Sequence, residues 1–266
     1  MKAYVHGYSE REAERLVDQA GAVCDLLHCD TRYPEGCTVL EAGCGVGAQT
    51  VTLAANSPGA HFICIDIAED SLRKAQAAAE ARGLANTTFR QADIHGLPYP
   101  DEYFDHIFVC YVLEHMTHPE QTLQSLRRLL KSGGSITVIE GDHGSCYWHP
   151  ETEASLRVWH CLIGAQAHIG CDSLIGRRLF PLLRQGGSED IAVSPRMVYC
   201  DRSRPALTDA FVRRTIIPMV EGVRDYARTA GISEAEWGRG IADLHATADR
   251  DDGTFCYTFF KAVAIR

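Results

Sequence analysis

Residues 38–47, Thr-Val-Leu-Glu-Ala-Gly-Cys-Gly-Val-Gly, constrain this chain more than any other stretch. The apolar run through Leu40 reads as a short buried strand ending at Glu41, and a helix is expected from near Ala48. Between them, Gly43, Gly45 and Gly47 permit backbone conformations with φ > 0 and leave bare main chain for a ligand to approach. A glycine-rich turn at the carboxyl end of a strand is where open parallel α/β sheets bind cofactors. Two cofactor classes fit such a turn. A dinucleotide uses G-x-G-x-x-G with its pyrophosphate at the helix N-terminus. Here the run is G-x-G-x-G with an acid, Glu41, just before it. The glycines alone leave the choice open.

Strands and helices alternate downstream, as a parallel sheet requires. Residues 60–67 are almost continuously apolar, which suits a strand covered on both faces. Asp66 closes that strand about 20 residues past the glycines, where a carboxylate accepts hydrogen bonds from ribose hydroxyls. Ile67 beside it would pack on an adenine. An alanine-rich helix over 71–83 ends at Gly83 as a C′ residue, and strands follow at 87–91 and 105–110. A helix over 119–130, a glycine turn at 131–134 and a strand over 135–140 come next. Residues 141–150, which hold Asp142, His143, Tyr147, Trp148 and His149, read as a polar and aromatic loop. Helices are expected over 153–171, 173–185 and 205–249, with strands at 191–199 and 254–265.

Composition bears on what the ligand is not. With 26 Lys and Arg against 35 Asp and Glu the formal charge is −9, so a nucleic acid is not an expected partner. No run approaches the roughly 18 apolar residues that span a bilayer, and the first residues lack a basic-then-apolar leader. No membrane partner and a cytoplasmic location are the expectation. Eleven cysteines occur without a C-x-x-C pair, which argues against a disulfide framework or a zinc ribbon. Asp142, His143 and His149 lack any recognised zinc spacing, and no metal is expected. Ser9 with Glu12 three positions on forms a capping-box signal for an amphipathic helix through Leu27.

Taken together, E-x-G-x-G-x-G after a Val-Leu strand, Asp66, Ala-Asp-Ile at 92–94, F-D-x-I-x-x-x-x-x-L-E-H at 104–115 and Lys-Ser-Gly-Gly at 131–134 resemble class I S-adenosylmethionine-dependent methyltransferases. The 104–115 pattern is similar to that of quinone-biosynthesis and related small-molecule enzymes. The N-terminal Tyr-Ser-Glu-Arg-Glu segment looks similar to fungal enzymes that methylate dithiol metabolites. The resemblance covers the chain to Gly141 and thins beyond it. It implies an α/β fold, a Rossmann-like seven-stranded mostly parallel sheet with helices on both faces and a helical insertion over the catalytic edge. One domain over 1–266 is implied, with a cofactor-covering helix at 1–30, a cofactor core at 38–141 and an acceptor-side cap at 142–190 and 205–249. The implied cofactor is S-adenosyl-L-methionine, its product S-adenosyl-L-homocysteine. Glu41, Gly43, Gly45, Gly47, Asp66 and Ile67 would line it, with Asp93 and Ile94 clamping the adenine. Cys110 and Tyr111 would border the methionine part, and Tyr8 and Arg15 would reach its carboxylate.

The partner expected is a small-molecule acceptor, methylated at O, N, S or C by in-line displacement, on a monomer or homodimer. His143 is the leading base candidate and His115 the second, because an imidazole titrates near neutrality. Tyr147, Trp148 and His149 are the expected acceptor contacts. Two other readings of the same pocket are a non-catalytic S-adenosylmethionine-binding regulatory protein and a NAD-dependent oxidoreductase. The Asp93-Ile94 pair speaks against the second.

Overall fold

The computed structural model describes residues 10–266. Helix α1 (Glu10–His28) leads into β1 (Thr38–Ala42), α2 (Thr50–Asn56), β2 (His61–Asp66), α3 (Glu69–Ala81), β3 (Thr87–Gln91) and β4 (Phe104–Cys110). A 3-10 turn (Leu113–His115), α4 (Pro119–Leu129) and the long β5 (Leu130–His149) follow. Next come α5 (Glu153–His168), a 3-10 turn (Ile175–Arg178), α6 (Leu179–Gln185) and β6 (Asp190–Cys200). The chain ends with α7 (Pro205–Leu207), a π-helical segment (Thr208–Ile216), α8 (Ile217–Glu221), α9 (Arg224–Thr229), α10 (Glu234–Asp249) and β7 (Thr254–Ile265).

Seven strands form one sheet in the order β3-β2-β1-β4-β5-β7-β6. Strands β1 to β5 pair in parallel with their neighbours. The chain then reverses. Arg266 N–H donates to Gly134 O and Gly133 N–H to Arg266 O, so the end of β7 lies beside the start of β5 and the two run antiparallel. The expected α/β fold with a mostly parallel seven-stranded sheet is therefore present.

The chain divides into two compact units. Unit I comprises Cys24–Gly141, Leu174–Arg196 and Phe259–Arg266, and unit II the described residues to Val23, Asp142–Ser173 and Met197–Thr258. In unit I, strand alternation sorts the buried side chains onto two faces. Leu40, Ala42, Ile63, Ile65, Ile107 and Val109 join Leu123, Leu126 and Leu129 of α4 and Leu179, Leu182 and Leu183 on one face. The residues between them, Val39, Glu41, Phe62, Cys64 and Phe108, are buried as well. On their side, His28 lies 5.8 Å from the Phe108 ring and Thr50 reaches Glu41. Lys261 of β7, 3% exposed, caps the end of α1. Its ammonium donates to Leu27 O (2.9 Å), Asp30 Oδ1 (2.6 Å) and Thr31 Oγ1 (2.6 Å), a cation at the negative end of the helix dipole.

Unit II is built on aromatic rings. Trp148 stacks on Phe255 at 5.8 Å, and Trp159 meets Trp148 edge-on at 6.1 Å. The α5 helix opens on a Thr152–Ser155 capping box and α10 on a Ser233–Glu236 one. The two helices cross closely at Gly240, where a Cβ would stand 2.5 Å from Ala154 O and from Val158 Cγ1.

Strands expected at 87–91 and 254–265 coincide with β3 and β7. The α2 helix starts two residues later than expected, since the glycine turn runs on through Ala48 and Gln49. The largest departure is 141–150. The expected loop is instead the second half of β5, to His149. Its polar side chains meet their needs inside the fold: Asp142 Oδ1 accepts Gly144 N–H at 3.0 Å, and Ser145 Oγ donates to Asp142 O at 2.8 Å. Polarity that suggested a loop is thus compatible with a buried strand. The glycine turn expected at 131–134 likewise falls within the start of β5.

Candidate active site

The carboxyl ends of the parallel strands in unit I finish almost level. Ala42 pairs with Ile65 on β2 and Val109 on β4, which puts Gly43 beside Asp66 and Cys110. Asp66 in turn pairs with Gln91, and Cys110 with Ile139. Register alone therefore brings the glycine turn, Asp66, the 92–94 segment and the β4 exit to one edge. These are most of the residues singled out from the sequence.

Each glycine of the turn has its own constraint. All three carry positive φ: +81° at Gly43, +52° at Gly45 and +78° at Gly47. A Cβ on Gly43 would stand 2.5 Å from Val112 Cγ2, and one on Gly47 2.9 Å from Ala75 Cα. These two glycines allow the β4 exit and α3 to pack against the turn. Gly45 differs, because a Cβ there would meet nothing within 4 Å. Its bare face looks onto open space, as a ligand cradle requires.

Two carboxylates hold the turn. Asp66 Oδ2 accepts Gly45 N–H at 2.8 Å and Oδ1 accepts Ala68 N–H at 2.9 Å. Each oxygen keeps a second lone pair for a hydroxyl donor. Glu41, 2% exposed, points the other way and accepts Thr50 Oγ1 at 2.6 Å. Burial pushes its carboxyl up to about 7, against the lowering pull of Thr50 and Cys64, and the Asp66 charge adds to the rise. Glu41 therefore ties the end of β1 to the start of α2, underneath the turn.

Ile67 is 53% exposed beside Asp66, a large apolar side chain left for a flat ligand to cover. Asp93 is exposed and turns one oxygen, Oδ1, to His95 N–H at 2.9 Å. Ile94 packs partly into the core of unit I, which fixes the 92–94 backbone. Tyr111 leaves β4 at φ +57°, a conformation uncommon for a bulky residue, and its ring lies 5.6 Å from Phe259. His115 closes the 3-10 turn with Nε2 3.5 Å from Glu114 Oε1, its side chain 23% exposed.

The other candidates lie in unit II or outside the described residues. Tyr8 is among the latter. Arg15 pairs with Glu12 through Nε (2.8 Å) and Nη2 (2.6 Å) and with Gln19 through Nη1 (2.7 Å), all within α1. His143 is 5% exposed, with Nδ1 2.7 Å from Tyr257 OH and its ring 5.3 Å from Trp159. Trp148 is buried and donates Nε1 to Ser155 Oγ at 3.0 Å. Tyr147 and His149 are exposed. Adjacent residues of a strand face opposite ways, so Trp148 points away from Tyr147 and His149. Among the described residues no group of three or more His, Cys, Asp or Glu side chains is arranged to hold a metal ion.

Sequence reasoning missed Thr50, Gln49 and Glu140. Gln49 Oε1 lies 2.6 Å from His28 Nε2 and links the end of the turn to the end of α1. The usable signal was Thr50, a hydroxyl at a helix start that follows a strand ending in an acid.

A sheet of this order, with a glycine cradle at β1 and acids at or just past the next two strand ends, is a Rossmann-like cofactor-binding arrangement. The methyltransferase domain family matches residues 34–180, more than half of the chain, and the chain belongs to that family. It is 32% identical over 152 residues to an uncharacterized methyltransferase of Schizosaccharomyces pombe, covering 53% of this chain and 52% of that protein. It is 35% identical over 107 residues to a ubiquinone/menaquinone biosynthesis C-methyltransferase of Ectopseudomonas mendocina, covering 40% and 42%. The chain spans about half the length of the curated relatives it matches. A similar fold occurs in phosphoethanolamine N-methyltransferase 2 of Haemonchus contortus, solved with phosphomonomethylethanolamine and S-adenosylhomocysteine. The TM-score is 0.56 at 15% identity, over 94% of this chain and 53% of that one.

Proposed function

We propose that this protein transfers a methyl group from S-adenosylmethionine to a small-molecule acceptor. The observation that carries the reading is the level edge of unit I: open space over Gly45, with Asp66, exposed Ile67 and exposed Asp93 in a row beside it. A nucleoside fits an acceptor, an apolar face and a second acceptor in that order. Asp66 offers lone pairs to ribose hydroxyls while its backbone bonds hold the carboxylate still. Ile67 covers one adenine face, and Asp93 accepts from the exocyclic amine while the Ile94 amide donates to the ring. Cys110 and Tyr111, at the end of β4, border the methionine part.

Bound S-adenosylmethionine supplies a methyl already activated on a sulfonium. The chain's own residues then have to align the acceptor, exclude water and take a proton where the acceptor carries one. Alignment can lower a barrier by roughly 7–11 kcal/mol, whereas a general base adds about 10²–10⁴ in rate. Positioning dominates, and His115, on the 3-10 turn that follows Tyr111, is the base candidate in unit I. The acceptor atom, O, N, S or C, and the roles of His143, Tyr147, Trp148 and His149 are read from activity, as is a contact of Tyr8 or Arg15 with the cofactor carboxylate.

Calorimetry with S-adenosylmethionine, S-adenosylhomocysteine and NAD tests the reading, followed by a metabolite screen with labelled methyl donor. Tight binding of the first two and none of NAD is expected. NAD binding without S-adenosylhomocysteine binding would overturn it. Binding without transfer to any acceptor would leave a non-catalytic cofactor-binding protein. Once an acceptor is in hand, pH–rate profiles of His115→Ala and His143→Ala identify the base, since only loss of the base removes the ionisation from the profile.

A further inference from the structure

Glu140, in the middle of β5 and next to the last of its residues within unit I, is fully buried. Its Oε1 accepts Val112 N–H at 3.0 Å and Leu113 N–H at 2.7 Å. Those amides open the 3-10 turn Leu113–His115, where backbone donors have no partner within the turn. The same turn starts from Tyr111 in the left-handed region and lays the Val112 side chain against Gly43. Its other oxygen, Oε2, is buried with no hydrogen-bond partner. A leucine would fill this space without desolvating a carboxyl group. The distinct service of the side chain is its hold on the two amides.

The geometry points to Glu140 as a positioning residue that sets the 111–115 backbone, and with it Tyr111, Val112 and His115, beside the glycine cradle. It acts on cofactor binding and transfer through that backbone and touches neither reactant. Burial first, then the Glu114 charge, push its carboxyl well above the usual range, while the Leu113 and Val112 amides pull it down. Both amides need only an acceptor oxygen there, and an amide carbonyl can supply it. The inference rests on the methyltransferase reading for its effect on function, and on the hydrogen bonds alone for its effect on the turn.

The test compares wild type, Glu140→Leu and Glu140→Gln in the full chain by amide hydrogen exchange and S-adenosylhomocysteine calorimetry. In Glu140→Leu, exchange at Val112 and Leu113 should speed up about tenfold or more while Ile107–Val109 keep their protection, and affinity should fall about tenfold. Glu140→Gln should recover both to within about threefold of wild type. Unchanged turn protection and affinity in Glu140→Leu overturn the inference, as does a glutamine variant that loses as much as leucine. If the leucine variant does not fold, wild-type exchange decides, because Val112 and Leu113 amides exchanging as fast as exposed loop amides overturn it. A wild type that binds no S-adenosylhomocysteine removes the methyltransferase reading, and the exchange result still stands or falls by itself.

Discussion

Glu41 makes the stability of unit I depend on pH in a direction opposite to that of most carboxylates. An ordinary surface glutamate near 4.5 behaves alike in the folded and unfolded chain. Buried under the glycine turn, Glu41 holds its proton to about 7. Between these values the unfolded chain has lost the proton and the folded one keeps it, so stability falls as pH rises through this window. Raising the carboxyl from 4.5 to about 7, at about 1.4 kcal/mol per pH unit, amounts to about 3 kcal/mol. Glu41→Gln keeps the size and an oxygen for Thr50 while removing the ionisation. Urea unfolding of both proteins from pH 4 to 8 should therefore show a difference curve that climbs by about 3 kcal/mol in favour of glutamine. Thr50→Val removes a donor that lowers the Glu41 carboxyl, so the midpoint should move up. A constant offset between wild type and Glu41→Gln at every pH would show that Glu41 titrates normally and refute the reasoning.

His28 should give the mirror image. Burial, chiefly, and the Lys261 charge lower it from 6.5 to about 4 against the Gln49 and Asp30 contacts. Stability should fall by about 3 kcal/mol as pH drops from 6.5 to 4, and His28→Leu should abolish that dependence. Gly45→Ala should cost only about 1 kcal/mol of stability yet weaken S-adenosylhomocysteine binding about tenfold or more, whereas Gly47→Ala, blocked by the Ala75 backbone, should cost about 1–3 kcal/mol. Thermal melts with and without ligand separate the two. Lys261→Met leaves Leu27 O and Thr31 without this donor and Asp30 with Arg196 alone, and a loss of about 1–3 kcal/mol in chemical unfolding is expected.

Much of the candidate site was legible along the chain because a strand end followed by glycines or an acid is a local pattern. Gly43, Gly45, Gly47, Asp66 and Asp93 each sit within a few residues of the apolar run that places them, and parallel register then brings them level. Residues 141–150 misled for the converse reason. Their polarity matches that of a loop, and only partners distant in sequence, such as Tyr257 for His143 and Phe255 for Trp148, make a strand of them.

The amino-acid order by itself determined the alternation of strands and helices, the glycine cradle and the acids at the strand tips, because those depend on backbone conformation and near neighbours. Tertiary structure alone decided what the buried polar groups do: Glu41 facing Thr50, His28 facing Gln49 and Glu140 holding the amides of the β4 exit. A buried charge or hydrogen bond takes its meaning from the group it faces, and that group is chosen by packing between elements far apart in the chain.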